Sequence, residues 1–316
     1  MWVLAIGDIN VDIIARTKMP HKGKQVVPRD FEFHGGGCAA NFAFACARLG
    51  AKSKIVGKVG ADFFGDLVLD ELRKGSVDVR DVAVTEGRTG ITFAMSEKEE
   101  RSFVTFRGEN ANFVERDIPL TRLDYDIVHM PAFFLLEKLR PSFSKLATRA
   151  RNQGAFTSID TGWDPFGKWS ETEFLLDAIK SFDVFMPNLE EARSILGAPV
   201  AKERTLMERL FRLGPKVVVL KKGEKGSIVG EKGKKLLRVP PFRVKAVDTT
   251  GAGDVFGAAF MMAYLNSKDV EAAARFASAA ASISVSGVGW SSYPTWDQVN
   301  NVLRKSGFRA VLFKLT

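Results

Sequence analysis

The chain has 316 residues, of which 46% are hydrophobic and 26% charged, a composition typical of a globular protein with one large α/β domain or two small ones. The formal net charge of +9 comes from scattered Lys and Arg residues without a run of five like charges, so no nucleic-acid partner is expected, although an anionic substrate would be attracted. No apolar run approaches the ~20 residues that cross a bilayer, which argues against a membrane partner.

The chain begins with a predicted strand, a glycine-rich turn and a helix. The continuous apolar run at Trp2–Ile6 is typical of a strand buried on both faces. It has no basic leader and no cleavage site, so a signal peptide is not expected. After the glycines at 35–37, helical spacing predicts a helix over 39–49, and a strand over 55–59 and a helix over 63–74 follow.

The two cysteines, Cys38 and Cys46, lie eight positions apart in an Ala-rich stretch that is typical of a helix. Two helical turns would separate their Cα atoms by about 12 Å, which is too far for a disulfide. Both are therefore expected to be reduced thiols, as in a cytoplasmic protein.

The next part of the chain predicts a β hairpin. Two strand-like runs at 91–95 and 102–106 are joined by a charged link. The stretch 13–33 is also extended and rich in turn residues. These two stretches are candidates for one small β sheet beside the main domain.

Strands and helices alternate through the rest of the chain. The predicted strands are 126–129, 156–159, 184–186 and 217–220, and the predicted helices include 139–152, 189–196, 255–265 and 270–285. This alternation predicts an α/β fold with a mostly parallel sheet and helices on both faces.

The segment 248–254 reads Asp-Thr-Thr-Gly-Ala-Gly-Asp and leads directly into a predicted helix. Its glycines let backbone N–H groups converge, and the helix N-terminus adds a positive partial charge, so the turn predicts a phosphate socket. A carboxylate at Asp254 would repel phosphate unless it accepts the proton of a hydroxyl that attacks the phosphate. The alternative is that Asp254 only caps the helix, and the local pattern leaves both readings open.

Two further segments carry polar groups near the end of the first strand, where open α/β sheets bind ligands. Gly36 and Gly37 precede Asn41, whose amide suits a sugar hydroxyl. Asn10 and Asp12 follow the first strand, and the Asp12 carboxylate is able to accept hydrogen bonds from two adjacent hydroxyls. The alternatives are a tight turn with a polar residue in the first helical turn, and an ordinary turn carboxylate.

Asn188 and Glu191 follow the predicted strand at 184–186 and are three residues apart, so they share one side of a starting helix. Together they are suited to ordering water around Mg²⁺, which tends to keep its waters. The alternative is a capping box, in which Asn188 caps the helix and Glu191 bonds back to it.

Taken in order, these segments resemble the ribokinase-like, or PfkB, family of carbohydrate kinases over nearly the whole chain. The glycines before Asn41 and the segment 248–254 are similar to the two diagnostic motifs of that family. The resemblance implies an ATP-dependent kinase for a sugar hydroxyl. It also implies a doubly wound α/β domain, residues 1–316, with a small β-sheet lid formed by about 13–34 and 88–107.

The resemblance assigns a role to individual residues of this sequence. Asp254 would be the catalytic base, and Gly251, Ala252 and Gly253 would form the anion hole. The acceptor would be bound by Asp12, Asn10, Gly36, Gly37, Asn41 and Arg107. The nucleotide would be bound by Asn188, Lys221, Gly223, Gly226, Thr249, Ala279 and Ser282. Asn188 and Glu191 would contact the metal through water.

Departures from the family pattern bear on the substrate and the cations. Cys38 stands where ribokinases proper usually have Lys, and no Arg follows Asp160 to hold an acidic or phosphorylated sugar, so a neutral acceptor is expected. The monovalent-cation loop of the family is matched only loosely at 287–293. The expected cofactors are therefore ATP and Mg²⁺, and a monovalent cation and a homodimer through the lid are left open.

Two other functions remain as alternatives. The first is a nucleoside kinase of the same family, for which Phe133, Phe134 or Trp163 would supply an aromatic pocket. The second is a sugar-binding regulator that has lost catalysis, against which the presence of Asp254 together with Asn188 and Glu191 argues.

Overall fold

The computed structural model describes residues 1–28, 30–97, 100–119, 123–169 and 173–312. Within these residues the strands are β1 (Trp2–Ile6), β2 (Asn10–Arg16), β3 (Phe31–Gly36), β4 (Lys52–Val56), β5 (Lys58–Gly60), β6 (Val77–Asp78), β7 (Ala83–Thr85), β8 (Gly90–Glu97), β9 (Glu100–Phe106), β10 (Ile127–Met130), β11 (Phe156–Ile159), β12 (Val184–Phe185), β13 (Val217–Lys221), β14 (Ser227–Glu231) and β15 (Leu237–Val239). The helices are α1 (Cys38–Arg48), α2 (Phe63–Lys74), α3 (Phe143–Asn152), α4 (Glu173–Ser181), α5 (Leu189–Ile195), α6 (Glu203–Arg212), α7 (Ala252–Ser267), α8 (Val270–Ser284) and α9 (Trp296–Lys305).

The large sheet has the strand order β15-β14-β13-β12-β11-β10-β1-β4-β6. Strand β1 pairs in parallel with β10 on one side and with β4 on the other. The loops that leave these strands therefore diverge, and the carboxyl end of β1 opens into a cleft of the kind that binds ligands in such sheets. Two antiparallel strands, β14 and β15, extend the sheet at one edge.

Alternate residues of β1 point to opposite faces of the sheet and enter two different cores. Val3 and Ala5 pack with α1, α2, α7, α8 and α9, whereas Leu4 and Ile6 pack with α3, α4, α5 and α6. Helices thus cover both faces, which is why every residue of β10 and β12 is buried. The predicted α/β class with a mostly parallel sheet is confirmed.

A separate four-stranded sheet has the order β3-β2-β8-β9. The register pairs Asp12 with His34 and Thr92, and it pairs Ile13 with Phe33 and Phe93. Because neighbouring residues of a strand point to opposite faces, Asp12 lies on one face, here called the site face, and Ile13 lies on the other, here called the outer face. The sheet is built from the two stretches that were predicted to form it.

Most predicted elements occur at nearly the expected positions, and the strand expected at 55–59 is the main exception. It is split at Gly57 into β4 and β5, which join different sheets. A Cβ atom at Gly57 would lie only 2.6 Å from the carbonyl oxygen of Gly7, so this crossing of two segments requires glycine. The link of the predicted hairpin at 98–99 lies outside the described residues.

The helix expected at 139–152 begins later, at Phe143, because a 3₁₀ turn at Arg140–Ser142 precedes it. Cys38 and Cys46 are both free thiols, as predicted. Of the helices that the described ranges contain, none has the length and apolar character needed to span a membrane.

Candidate functional site

Polar and charged residues gather at the carboxyl ends of the parallel strands, among them the predicted ligands Asn188, which follows β12, and Lys221, which ends β13. Asp8, which follows β1, and Asp160, which follows β11, were not predicted as site residues. The carboxylate of Asp8 accepts hydrogen bonds of 3.0 Å from the first two N–H groups of α1, those of Cys38 and Ala39. This pairing ties the start of α1 to the end of β1 and so fixes one wall of the cleft.

The turn at 251–254 forms the opposite wall. Gly251 is the N-cap of α7 and has a φ of 72°, a backbone conformation that glycine adopts without strain. A side chain at Gly251 would also overlap the hydroxyl of Tyr293. Among the described residues, no acceptor bonds to the N–H groups of Gly251 and Gly253. They are the kind of free donors at a helix N-terminus that bind anions.

Asp254 lies in the first turn of α7 but does not cap this helix. The cap is Gly251, and no side chain accepts a hydrogen bond from the first N–H groups. The Asp254 carboxylate instead accepts a hydrogen bond of 2.9 Å from Nδ2 of Asn41. The alternative that Asp254 only caps its helix is therefore wrong, because its carboxylate accepts no hydrogen bond from the first N–H groups of α7.

The surroundings of Asp254 raise the pKa of its carboxyl group well above the usual value. Desolvation by the dense protein environment is the largest cause, and the negative charges of Asp160 and Asp8 add to it. The hydrogen bond from Asn41 and the positive charge of Lys221 act in the opposite direction. The result is a carboxylate that is more basic than an exposed Asp.

Asn41 connects Asp254 to the far end of the chain. Its Oδ1 accepts a 2.7 Å hydrogen bond from the indole Nε1 of Trp290, while its Nδ2 donates to Asp254. An Asn amide carries two N–H groups, so one remains for an acceptor molecule. Trp290 and Tyr293 lie in the loosely matched loop at 287–293 and were not predicted as site residues, because only folding brings them to the site.

Asp12 and Gly36 lie side by side on the site face of the small sheet. The Asp12 side chain is buried, and a Cβ atom at Gly36 would overlap its carboxyl group, which explains why glycine is required there. Burial, together with the charges of Asp8 and Asp248, raises the pKa of Asp12 to about 7. Within the described ranges no donor bonds to this carboxylate, so it is available to a ligand.

Asn10 occupies the same face as Asp12 but has a protein partner. Its Oδ1 accepts a 2.7 Å hydrogen bond from Nδ2 of Asn110, and Asn110 also bonds the N–H of Ile9. Gly37 is the N-cap of α1 with a φ of 93°. A Cβ atom at this position would lie 2.7 Å from the carbonyl oxygen of Asp8.

A buried charge cluster lies beside Asp254. The ammonium group of Lys221 forms an ion pair with Asp160 and lies 3.4 Å from the place a Cβ would take at Gly253. Although burial disfavours its charged form, the carboxylates of Asp160 and Glu191 raise the pKa of Lys221 above the usual value. A permanent positive charge is therefore held next to the free N–H groups of the turn.

The capping box at the start of α5 is confirmed. Asn188 Oδ1 accepts hydrogen bonds of 2.9 Å from the N–H groups of Glu190 and Glu191, and Glu191 Oε2 accepts one of 2.8 Å from the N–H of Asn188. Burial and the nearby Asp160 raise the pKa of Glu191 to about 7. The second oxygen of Glu191, Oε1, makes no hydrogen bond with the described residues, so a water-mediated metal contact stays compatible with the cap.

The remaining predicted ligands have mixed surroundings. Arg107 donates a 2.9 Å hydrogen bond to Glu137 and lies over the ring of Phe166. Ala279 is completely buried, and the Ser282 hydroxyl donates to its carbonyl oxygen at 2.7 Å. No surface of Ala279 is therefore open to a nucleotide in this structure.

The loop after β13 contains a 3₁₀ turn that begins at Gly223 and is followed by Gly226. Both glycines have positive φ values, of 58° and 79°. A Cβ atom at Gly226 would overlap the carbonyl oxygen of Val239. Thr249 is exposed at the edge of the cleft, and its carbonyl oxygen accepts a 3.3 Å hydrogen bond from Ala252.

The aromatic residues proposed for a nucleoside pocket differ in exposure. Phe133 and Phe134 are fully buried in the core beside α3, so they do not line an open pocket, and the prediction for these two residues is wrong. Trp163, in the loop after Asp160, is 56% exposed. Its ring makes an edge contact of 4.9 Å with Trp169.

Comparison with known proteins points to one family. Residues 2–296 match the profile described as pfkB family carbohydrate kinase. The ribokinase of Bacillus subtilis is 30% identical, over 95% of this chain and 99% of its own. The nucleoside kinase of Methanothermobacter thermautotrophicus is also 30% identical, over 91% and 90%. The structure of Arabidopsis thaliana ribokinase complexed with ribose and ATP superposes with a TM-score of 0.81 at 26% identity, covering 95% of this chain and 97% of the other.

Proposed function

Because this chain belongs to the pfkB family of carbohydrate kinases, we propose that Asp254 is the general base that activates a hydroxyl of a neutral sugar for in-line attack on ATP. The chain is a carbohydrate kinase that acts on a small molecule, and it binds ATP. The observation that supports the mechanism best is the position of Asp254, whose carboxylate is held by Asn41 beside the free N–H groups of Gly251 and Gly253.

In the proposed reaction the hydroxyl oxygen of the acceptor attacks the γ-phosphorus of ATP, its proton passes to Asp254, and ADP leaves. The raised pKa of Asp254 makes its carboxylate more basic than that of an exposed Asp, which favours acceptance of the proton. The N–H groups of 251–253 and the Lys221 ammonium would stabilise the negative charge on the transferred group. These donors are fixed before the substrates bind, so little reorganisation is needed.

The acceptor is proposed to bind between the small sheet and α1. Asp12 would accept hydrogen bonds from two hydroxyls, Asn41 would donate one, and the backbone at Gly36 and Gly37 would contact the ring closely, with Asn10 and Arg107 at the border of the site. We interpret the small sheet as a lid within a single domain of residues 1–316. Closure over the acceptor would exclude water and so limit hydrolysis of ATP.

The nucleotide is proposed to lie along the loop after β13, in contact with Lys221, Gly223, Gly226 and Thr249, and near Ser282 and Asn188. The free oxygen of Glu191 and the adjacent Asn188 fit Mg²⁺ bound through water. When bound, Mg²⁺ would neutralise charge on the phosphates of ATP. Free thiols at Cys38 and Cys46 agree with the cytoplasm as the proposed location.

We expect Glu191→Gln to raise the Mg²⁺ concentration for half-maximal rate several-fold, with little change in the KM of the acceptor. Gln keeps the capping box, since its amide oxygen is able to accept from Asn188, so the substitution removes the charge alone. The matched control is Glu190→Gln, an exposed neighbour on the same helix. If the Mg²⁺ response is unchanged and only the melting temperature falls, Glu191 is a capping residue.

A nucleoside acceptor is the second candidate, and the exposed ring of Trp163 near Asp160 favours it. Release of ADP with a panel of neutral sugars and nucleosides would test both candidates in one assay. The highest kcat/KM on a free sugar supports the first candidate, and the highest value on a nucleoside supports the second. Absence of ADP release with every acceptor would contradict the proposed function.

We also propose a homodimer through the lid. The register places Phe33, Phe93, Val104 and Phe106 on the outer face, and all four side chains are exposed. A contiguous apolar patch of this kind is typical of a protein interface. The outer face is opposite the site face, so a partner seated there would leave Asp12 free.

A dimer should therefore be found for the parent protein by light scattering at micromolar concentration. Combining Phe93→Asp with Phe106→Asp should make it monomeric, because each buried Phe contributes about 1.5–3 kcal/mol and every substitution occurs twice in a dimer. Phe174→Asp, at an exposed position of α4, is the control and should remain dimeric. A monomeric parent protein contradicts the proposal.

A further inference from the structure

The loop at 287–293, which matches the family pattern only loosely, places a tryptophan next to the catalytic cleft. Trp290 is 5% exposed, and its ring stacks on Phe44 of α1 at 4.6 Å between ring centroids. A Cβ atom at Gly35 would overlap this ring. The loop is anchored on both sides, because Arg48 donates to the carbonyl oxygen of Tyr293 and Ser292 donates to that of Ser284.

The indole of Trp290 ends a chain of two hydrogen bonds. Its Nε1 donates to Asn41 Oδ1 at 2.7 Å, and Asn41 Nδ2 donates to Asp254 Oδ2 at 2.9 Å. The indole N–H is only a donor, and an ionised carboxylate is only an acceptor. If the Asn41 amide were flipped, its NH₂ group would face the indole N–H of Trp290, and its oxygen would face the carboxylate of Asp254. Neither pair forms a hydrogen bond, so both neighbours favour one orientation of Asn41.

This orientation matters because several charged groups surround Asp254. The carboxylates of Asp160 and Asp8 disfavour its ionised form, as does burial, whereas Lys221 and the N–H of Asn41 favour it. The thiol of Cys38 and the hydroxyl of Tyr293 also face this carboxylate. Asn41 is the one described side chain that donates a hydrogen bond to it, so the direction of this amide positions the carboxylate and favours its ionised form.

We propose that Trp290 is a positioning residue for the catalytic base, which holds the Asn41 amide in the orientation that donates to Asp254. This inference rests on the proposed role of Asp254 as the base. In this role Trp290 acts through Asn41 and not by contact with the acceptor or ATP. Its indole N–H removes the alternative amide orientation, and the attacking hydroxyl therefore meets a carboxylate that is already aligned and whose ionised form is favoured by the N–H of Asn41.

The test is Trp290→Phe, which keeps an aromatic ring against Phe44 and Gly35 but removes the donor. We expect kcat to fall about threefold to tenfold, the range that corresponds to the loss of one net hydrogen bond. The KM values of ATP and of the acceptor should change less than twofold. The matched control is Trp296→Phe, because Trp296 Nε1 donates to the carbonyl oxygen of Val311, away from the cleft. It should leave kcat unchanged.

Two further readouts separate positioning from packing. The acidic limb of the kcat–pH profile should move to higher pH in Trp290→Phe, because a weakened bond from Asn41 raises the pKa of the base, which must be deprotonated to act. In an Asn41→Ala background, Trp290→Phe should have no further effect on kcat, since it acts through that amide.

The inference is overturned if Trp290→Phe has the same kcat as Trp296→Phe, if the pH profile does not move, or if the effect is undiminished in the Asn41→Ala background. An effect confined to the KM of the acceptor would also overturn it, because the indole would then shape the acceptor pocket. If Trp290→Phe fails in these ways while Asp254→Asn still abolishes turnover, the inference is wrong and the proposed function stands. Full turnover by Asp254→Asn would contradict the proposed function itself.

Discussion

Asp254→Asn is expected to lower kcat by ~10²–10⁴, the usual contribution of a general base. The amide has nearly the shape of the carboxylate but does not accept a proton at neutral pH. The fold should be retained, because Asp254 does not cap α7 and makes a side-chain hydrogen bond only with Asn41 among the described residues. ATP should still bind, because the substitution removes a negative charge next to the phosphate-binding turn and so does not disfavour the anionic phosphates.

Single-turnover kinetics and ATP titration would measure these two effects separately. The matched control is Asp66→Asn, which removes an exposed carboxylate from the first turn of another helix, α2. If Asp254 acts only on the dipole of its helix, both variants should lose similar small amounts of stability and neither should lose turnover. A kcat of Asp254→Asn within threefold of the parent would disprove the role as base.

Asp12→Ala is expected to lower kcat/KM for the acceptor at least tenfold, with little change in the KM of ATP. The Asp12 carboxylate is 8% exposed and has no described donor, so two hydroxyls of the acceptor would be its partners. Hydrogen bonds to a charged group are stronger than neutral ones. Loss of the Asp12 carboxylate would leave each of these hydroxyls unpaired in a closed site, which costs ~1–3 kcal/mol per hydroxyl.

The pH dependence gives the same prediction a second measurement. Because the pKa of Asp12 is raised to about 7, the ionised form is lost as the pH falls through this value, and kcat/KM for the acceptor should fall with it. This decrease of kcat/KM at low pH, the acidic limb of the pH profile, should disappear in Asp12→Asn, which keeps the volume of the side chain but does not titrate. Asp8 and Asp248 face the same carboxylate, so the limb should be compared in the variant and the parent at equal ionic strength.

A sugar acid or sugar phosphate as the preferred acceptor would contradict this assignment directly, because Asp12 would repel its negative charge. Arg107 would then be the residue to test, since it lies where β9 returns to the main body and already binds a carboxylate, that of Glu137. An unchanged kcat/KM in Asp12→Ala would equally exclude Asp12 as a ligand of the acceptor.

Much of this protein is determined by short stretches of its sequence. Apolar runs and helical spacing predict most strands and helices, because local burial and backbone preference act within a few residues. The capping box of Asn188 and Glu191 is local too, since its partners are three residues apart. The socket at 251–253 is predictable for the same reason, as glycine and a helix start create it without help from the rest of the chain.

Only the tertiary structure decides which of these local features meet. Asn41 and Trp290 are separated by 249 residues, and Asn41 and Asp254 by 213. Their contacts follow from the strand order around β1, which no local pattern records. For the same reason the sequence predicted one strand through Gly57, whereas a close approach to Gly7 accompanies its division into β4 and β5. The sequence also offered Phe133 and Phe134 as candidates for a nucleoside pocket, but packing in the core buries both rings.

The sequence therefore determined the kind of chemistry, and folding determined how the groups are tuned. A carboxylate after a phosphate-binding turn is a candidate base by residue type and position, and the resemblance of the whole chain to the PfkB family favours this role over a helix cap. Its pKa, its orientation and its partners depend on burial and on charges brought from β1, β11 and β13. Electrostatic and hydrogen-bonding energies depend on distance in space and not along the chain, so these properties appear only when the sheet and α1 are assembled around Asp254.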